Sequence, residues 1–251
     1  FIGLVLKFNI FLYSIKNKSL FSFIFIVFIY LFCFFPLWEV TQIRSSLAVG
    51  FFLIGLIQKK YKYQLIMFFW AILFHYGFIF VVVIYLYSQY LYKRPYVAII
   101  ITLILISSFE FFIANTRYMD YDNFYFKEEF SPISAKNIYI FFTSLAIYFY
   151  TFIFINNKFE KKRLLSLSLS NLCILLFTSY IGLNYASIAM RYADILLFLC
   201  FFSLAWVPRN KVFDTYKVIT IVIFVPFYVY TYFYSINKLF SLASFMRIFT
   251  W

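Results

Sequence analysis

Apolar residues fill this chain in long runs, and short polar clusters break the runs at nearly regular intervals. A helix needs roughly 20 predominantly apolar residues to cross the hydrocarbon core of a bilayer. Runs near that length predict helices over residues 2–13, 20–37, 43–57, 63–87, 96–113, 138–155, 164–182, 185–207 and 218–234. No internal repeat and no Gly/Ser linker separates them, so a single transmembrane domain is expected over residues 1–251. One long polar segment interrupts the pattern, the loop at 114–137.

The run from Tyr63 to Tyr87 decides the topology. Lys and Arg collect in cytoplasmic loops, so their distribution tests how often this run crosses. A single crossing divides the loop charges ten against eleven, which is no bias. Doubling back near His75 and Gly77 divides them fourteen against seven. Lys16, Lys59, Lys93, Lys158 and Arg209 then fall inside, and Asp120, Asp122, Glu128 and Glu129 fall outside. The hairpin is therefore expected. Arms of about twelve residues would each be roughly 18 Å long, too short for a full crossing. A re-entrant or strongly kinked element follows, tolerable only where protein or a water-filled cavity buries its broken backbone. The fold class read from the pattern is all-α, a polytopic integral membrane protein. It has about eight spanning helices plus this broken or re-entrant helical hairpin.

Composition agrees. Hydrophobic residues make up 65% of the chain and charged residues 12%, with a mean hydropathy of +0.91. A soluble domain carries about 25% charged residues because its surface meets water; this surface meets lipid. The 40 Phe and 24 Tyr read as bulk hydrophobicity. The net charge of +13 belongs to lysines at the ends of buried spans rather than to a nucleic-acid surface. Cys33, Cys173 and Cys200 all lie in apolar runs, and an odd number without metal-ligand spacing predicts neither a disulfide framework nor a metal site. They read as small apolar fillers. The chain opens at Phe1, inside a hydrophobic run and without a basic segment ahead of it. That predicts a C-terminal portion of a longer protein rather than a signal peptide.

With this topology Arg44, His75, Arg117 and Arg191 all lie at the outer side. A charge within a spanning helix costs about 2.5–3.5 kcal/mol, so such residues usually line a cavity or pathway. Arg44 sits just inside its helix, whose Ser46 and Gly50 offer a close-packing face; alone it could equally snorkel to the interface. Glu39 could pair with Arg44 or act as a base. His75, the single histidine, could donate to a phosphate oxygen or accept a proton. Arg191 and Asp194 are three apart on one helix face, so they form either a structural ion pair or an arginine aimed by its aspartate at an anion. In the 114–137 loop, Arg117 and the rings of Tyr118, Tyr121, Phe124 and Tyr125 suit an anion and sugar faces. Guanidiniums present fixed pairs of N–H donors and never deprotonate, which suits a diphosphate.

Between Thr41 and Tyr87 the chain carries Arg44 and Ala48 on a small-residue helix, then Lys59-Lys60, then Phe74-His75-Tyr76. This pattern resembles the EpsG/Wzy family of bacterial exopolysaccharide and O-antigen polymerases. Arg191-Tyr192, opening a later apolar helix, is similar too. The chain departs at Ser45, where the family often has Gln, and at Gly77, where it has Ser. The resemblance implies glycosyl transfer at the periplasmic face of the bacterial inner membrane. A glycan would pass from one undecaprenyl-diphosphate carrier to the terminal sugar of a second lipid-linked repeat unit, with no cofactor. Arg44, His75 and Arg191 would be catalytic, and Arg117, Tyr118, Tyr76, Tyr192, Asp194 and Glu39 would bind substrate. A chain-length regulator and a flippase are the implied protein partners. The rival function is a transporter or flippase of lipid-linked oligosaccharides, which would also use arginines along a cavity. An O-antigen ligase or a membrane O-acyltransferase fits less well, for the very large outer loop of the former and the motifs of the latter are absent.

Overall fold

The computed structural model describes residues 2–14, 19–35, 38, 42–114 and 131–230, with side chains left aside at 2, 13, 14, 110–114 and 187. Every regular element among them is a helix. These are α1 (Ile2–Ser14), α2 (Leu20–Ile29, running on as a π-helical stretch Tyr30–Phe34), α3 (Ile43–Ile57), α4 (Tyr61–Phe74) and α5 (Phe78–Leu91). Then come α6 (Pro95–Ala114), α7 (Ala135–Phe154), α8 (Lys158–Ile181), α9 (Ala186–Trp206) and α10 (Lys211–Ile219, continued by the π-helical stretch Thr220–Phe224).

Polar residues between the apolar runs start the helices. Ser19 accepts from the Ser22 N–H, Ser134 from Asn137, Asn157 from Phe159 and Glu160, and Asn210 from Val212. Each satisfies a backbone donor that the first turn leaves unpaired. Asn157 is helped by Glu160, an acid where the helix dipole favours one.

Four described helices are long and apolar enough to cross a membrane: Ala135–Phe154, Lys158–Ile181, Ile188–Trp206 and Lys211–Tyr230. Helix α6 also has 20 residues, whereas the apolar stretches of α1 to α5 have 10–15 each, so among the described residues fewer of the expected spans reach membrane length than the run pattern predicts. The last helix also begins at Lys211 rather than Val218. Asn210 caps it, and Asp214 and Lys217 pair at 3.1 Å within its first turns, so their charges do not stop it.

Helix α8 is the spine, packed against α5, α6, α7 and α9. Its serines fit that role: Ser166, Ser168, Ser170 and Thr178 return their hydroxyl protons to carbonyls three or four residues back. A hydroxyl satisfied within its own helix lets neighbours approach closely without an orphaned donor. The thiols of Cys33, Cys173 and Cys200 are buried and free.

The predicted hairpin is present. Helix α4 stops at Phe74, and α5 begins at Phe78. The arms run back along each other, since the Phe68 and Tyr85 rings meet edge to face at 5.6 Å. Each arm has 14 residues, two more than the sequence suggests, or about 21 Å of helix at 1.5 Å per residue.

Antiparallel succession sorts the turns between two ends of the bundle. At one end the Arg163 guanidinium donates to the Gln58 carbonyl, the Tyr148 hydroxyl to the Tyr92 carbonyl at 2.7 Å, and Asn210 to the Tyr150 hydroxyl at 3.2 Å. This end carries the basic clusters around Lys59, Lys93, Lys158 and Arg209. The start of α3, the turn between α4 and α5, and the start of α9 lie at the opposite end.

Candidate functional site

The α4–α5 turn explains itself from its three residues. His75 leaves helical geometry for extended backbone, φ −147° and ψ 99°, which ends α4. Its ring then folds back, and Nδ1 accepts the Gly77 N–H at 3.1 Å, serving the start of α5 as a side-chain cap would. Glycine is needed at 77 for space: a Cβ there would stand 2.9 Å from His75 Cε1 and 3.4 Å from the Tyr192 hydroxyl. That hydroxyl donates to the Gly77 carbonyl at 2.7 Å, pinning the turn to α9.

The cap fixes the chemistry of the imidazole. With Nδ1 accepting, the neutral ring carries its proton on Nε2, so His75 presents a donor. Burial lowers its pKa below the ordinary 6.5, and the positive charges of Arg191 and Arg44 lower it further against its own backbone hydrogen bond. His75 is thus neutral at pH 7.

Those two charges also locate the arginines. Arg44, in the first turn of α3, and Arg191, in the second turn of α9, both act on the ring in the α4–α5 turn. Both are exposed, and among the described residues neither makes an ion pair or a hydrogen bond. Tyr76 stands beside the site, 60% exposed, its ring 5.7 Å from that of His75. Arg44, His75, Tyr76, Arg191 and Tyr192 are therefore assembled at one end by three separate helical units.

Asp194 is not turned toward Arg191. Its carboxylate accepts from Lys136 on α7 at 2.9 Å and from the Tyr228 hydroxyl at 3.4 Å. Both expectations for an Arg191–Asp194 pair give way to a link between α7, α9 and the last helix. The reason is reach: Lys136, in the first turn of α7, comes down on the α9 face that carries Asp194. Glu39, Arg117 and Tyr118 lie outside the described residues.

Sequence reasoning missed Lys136, which lies in the polar segment but was given no role. Lys7, a lysine inside the apolar run 2–13, was likewise given no role. Its amine is fully buried, 2.6 Å from the Ser46 hydroxyl and 5.2 Å from the centre of the Tyr30 ring. A lone charge within so short an apolar run was the available signal.

Chemically, this end of the bundle offers two exposed guanidiniums, each without an ion pair or hydrogen bond among the described residues, and an imidazole whose remaining ring nitrogen is a neutral N–H donor. That set suits a group bearing several anionic oxygens. Among the described residues no group of three or more His, Cys, Asp and Glu side chains is placed to hold a metal ion. Comparison with protein families matches the EpsG family over residues 1–246. Comparisons with curated proteins and with solved structures return no match.

Proposed function

Because the chain belongs to the EpsG family, we propose that it polymerises lipid-linked oligosaccharide repeat units by glycosyl transfer at the His75 end of the bundle. Membership makes it a membrane protein of polysaccharide biosynthesis. The finer reading takes the His75 end as periplasmic and the carrier as undecaprenyl diphosphate. Its orientation is supported by the basic clusters gathered at the opposite end, as expected of a cytoplasmic face.

The observation that carries the proposal is the pair of exposed guanidiniums, without a partner among the described residues, whose charges both act on a neutral imidazole. In the reaction an acceptor sugar hydroxyl attacks the anomeric carbon of the donor glycan. The bond from that carbon to the carrier diphosphate breaks, and the diphosphate leaves with the electron pair. Arg44 and Arg191 stabilise the charge that develops on it, the electrostatic contribution that is usually largest in such sites. His75 donates from Nε2 to one of its oxygens. Since that donor role leaves Nδ1 occupied, the acceptor's proton passes to a carboxylate, for which Glu39 is proposed. Tyr76 offers a ring face to sugar beside the turn, and Tyr192 holds the turn. Arg117 and Tyr118, in the 114–137 loop, are assigned to the acceptor glycan. Asp194 moves from substrate binding to holding α7 against α9.

Arg44→Ala and Arg191→Ala should each abolish long-chain glycan while protein levels in the membrane stay near normal. A normal ladder of chain lengths in either variant would end the assignment. The flippase reading separates in a deletion strain: a polymerase mutant still exports single repeat units, and a flippase mutant exports none.

A further inference from the structure

A buried lysine in a membrane bundle needs a reason, because desolvating its charge is costly unless the surroundings compensate. Lys7 on α1 is fully buried. Its amine donates to the Ser46 hydroxyl at 2.6 Å and toward the Gly3 carbonyl at 3.4 Å. It also lies 5.2 Å from the Tyr30 ring centre and 5.9 Å from that of Trp38, within range of cation–π attraction.

Two features tie this lysine to the candidate site. Ser46 is in the first turn of α3, two residues beyond Arg44, and the N-cap residue Gln42 supplies no side-chain hydrogen bond to that turn. The aromatic cage is packed on α9 as well: Phe198, two turns beyond Arg191, meets Trp38 at 5.0 Å and Tyr30 at 6.0 Å. One amine thus connects the helix that carries Arg44 with the ring cluster seated on the helix that carries Arg191. The guanidiniums themselves are exposed and have no partner among the described residues, so the backbone beneath them is what sets their separation.

We propose that Lys7 is a positioning residue that fixes the spacing of Arg44 and Arg191, so that both meet one anionic group. It touches no substrate and acts through Ser46 and the Tyr30–Trp38 cage. The inference rests on the proposed function for what that anion is, but the spacing stands without it.

The test measures the spacing first. In full-length protein in liposomes, cysteines introduced at Ile43 and Leu183, both exposed, carry spin labels near the start of α3 and just before α9. Lys7→Met and the milder Ser46→Ala should broaden the distance distribution relative to the parent. An unchanged distribution in both variants overturns the proposal. Activity on lipid-linked repeat units supplies the second readout. Lys7→Met should lower turnover by about 10- to 100-fold, the scale expected of a 1 Å misplacement. Unchanged turnover beside a broadened distance would show that the spacing does not serve the reaction and would overturn the inference. A broadened distance with no polymerisation even by the parent would instead retain the spacing role and remove the polymerase reading.

Discussion

The fit between α3 and the hairpin arm α4 can be tested at one atom. Gly55 faces Phe68 so closely that a Cβ at 55 would lie 2.6 Å from Phe68 Cδ1 and closer still to Cε1. Relaxed carbon contacts are about 3.5–4.0 Å, so the ring edge must retreat by about 1 Å. It has nowhere to go, being 1% exposed and held between Phe52, stacked at 5.1 Å, and Tyr85 of the other arm at 5.6 Å. Overpacking of this kind costs about 1–3 kcal/mol, while replacing Gly by Ala in a helix returns about 1 kcal/mol. Gly55→Ala should therefore lose up to about 2 kcal/mol net, or up to about 8 °C of melting temperature. Gly50 is the internal control, for its added Cβ would meet Leu6 at an ordinary 3.6 Å; Gly50→Ala should melt at or slightly above the parent. Thermal melts of the detergent-purified protein decide the matter. A Gly55→Ala protein as stable as Gly50→Ala would mean that α3 and α4 do not approach as described.

His75 is the single histidine, so its ring proton resonance can be titrated by NMR without assignment. Its pKa should lie below 6.5 and rise on Arg191→Ala, because removing a like charge relieves the imidazolium. The same shift makes stability constant above pH 6.5 and lost as pH falls through the lowered pKa; a titration at or above 6.5 in the parent would contradict the site as drawn. Tyr192→Phe removes the hydroxyl that holds the Gly77 carbonyl, and should cost about 1 kcal/mol of stability. It should also reduce chain elongation without removing it, read from the glycan ladder and a melt in parallel.

The break at His75 and Gly77 was legible because two independent signals met there, the charge distribution across loops and a histidine–glycine interruption in an apolar run. The run pattern starts α2 at Leu20, where it begins, but starts α7 and α8 at 138 and 164, three and six residues late, because the polar residues that follow Ser134 and Asn157 are already helical. What escaped was lateral. Asp194 has Arg191 three residues before it, and local spacing favours that neighbour. Its actual partner, Lys136, is 58 residues away in the chain, and only the packing of α7 on α9 brings it near. Lys217, one residue before the run at 218–234, reads as a loop charge, yet its side chain is fully buried, donating to the Ser22 hydroxyl at 2.7 Å. Hydropathy penalises such a lysine as though it faced lipid, because a one-dimensional pattern does not show which side of a helix is covered.

The shortness of α3, α4 and α5 has a consequence for the bilayer itself. These neighbouring helices have 15, 14 and 14 residues, about 21–22 Å of rise against a hydrocarbon thickness of about 30 Å. Lipid beside this flank must dimple to match it, while the longer α7, α8 and α9 hold the membrane at full depth elsewhere. A polar headgroup at the bottom of such a dimple sinks toward the middle of the bilayer without crossing any tail region. On this flank the membrane would lower an amphiphile's charged end to the level of His75, and lipids with longer tails would resist that descent.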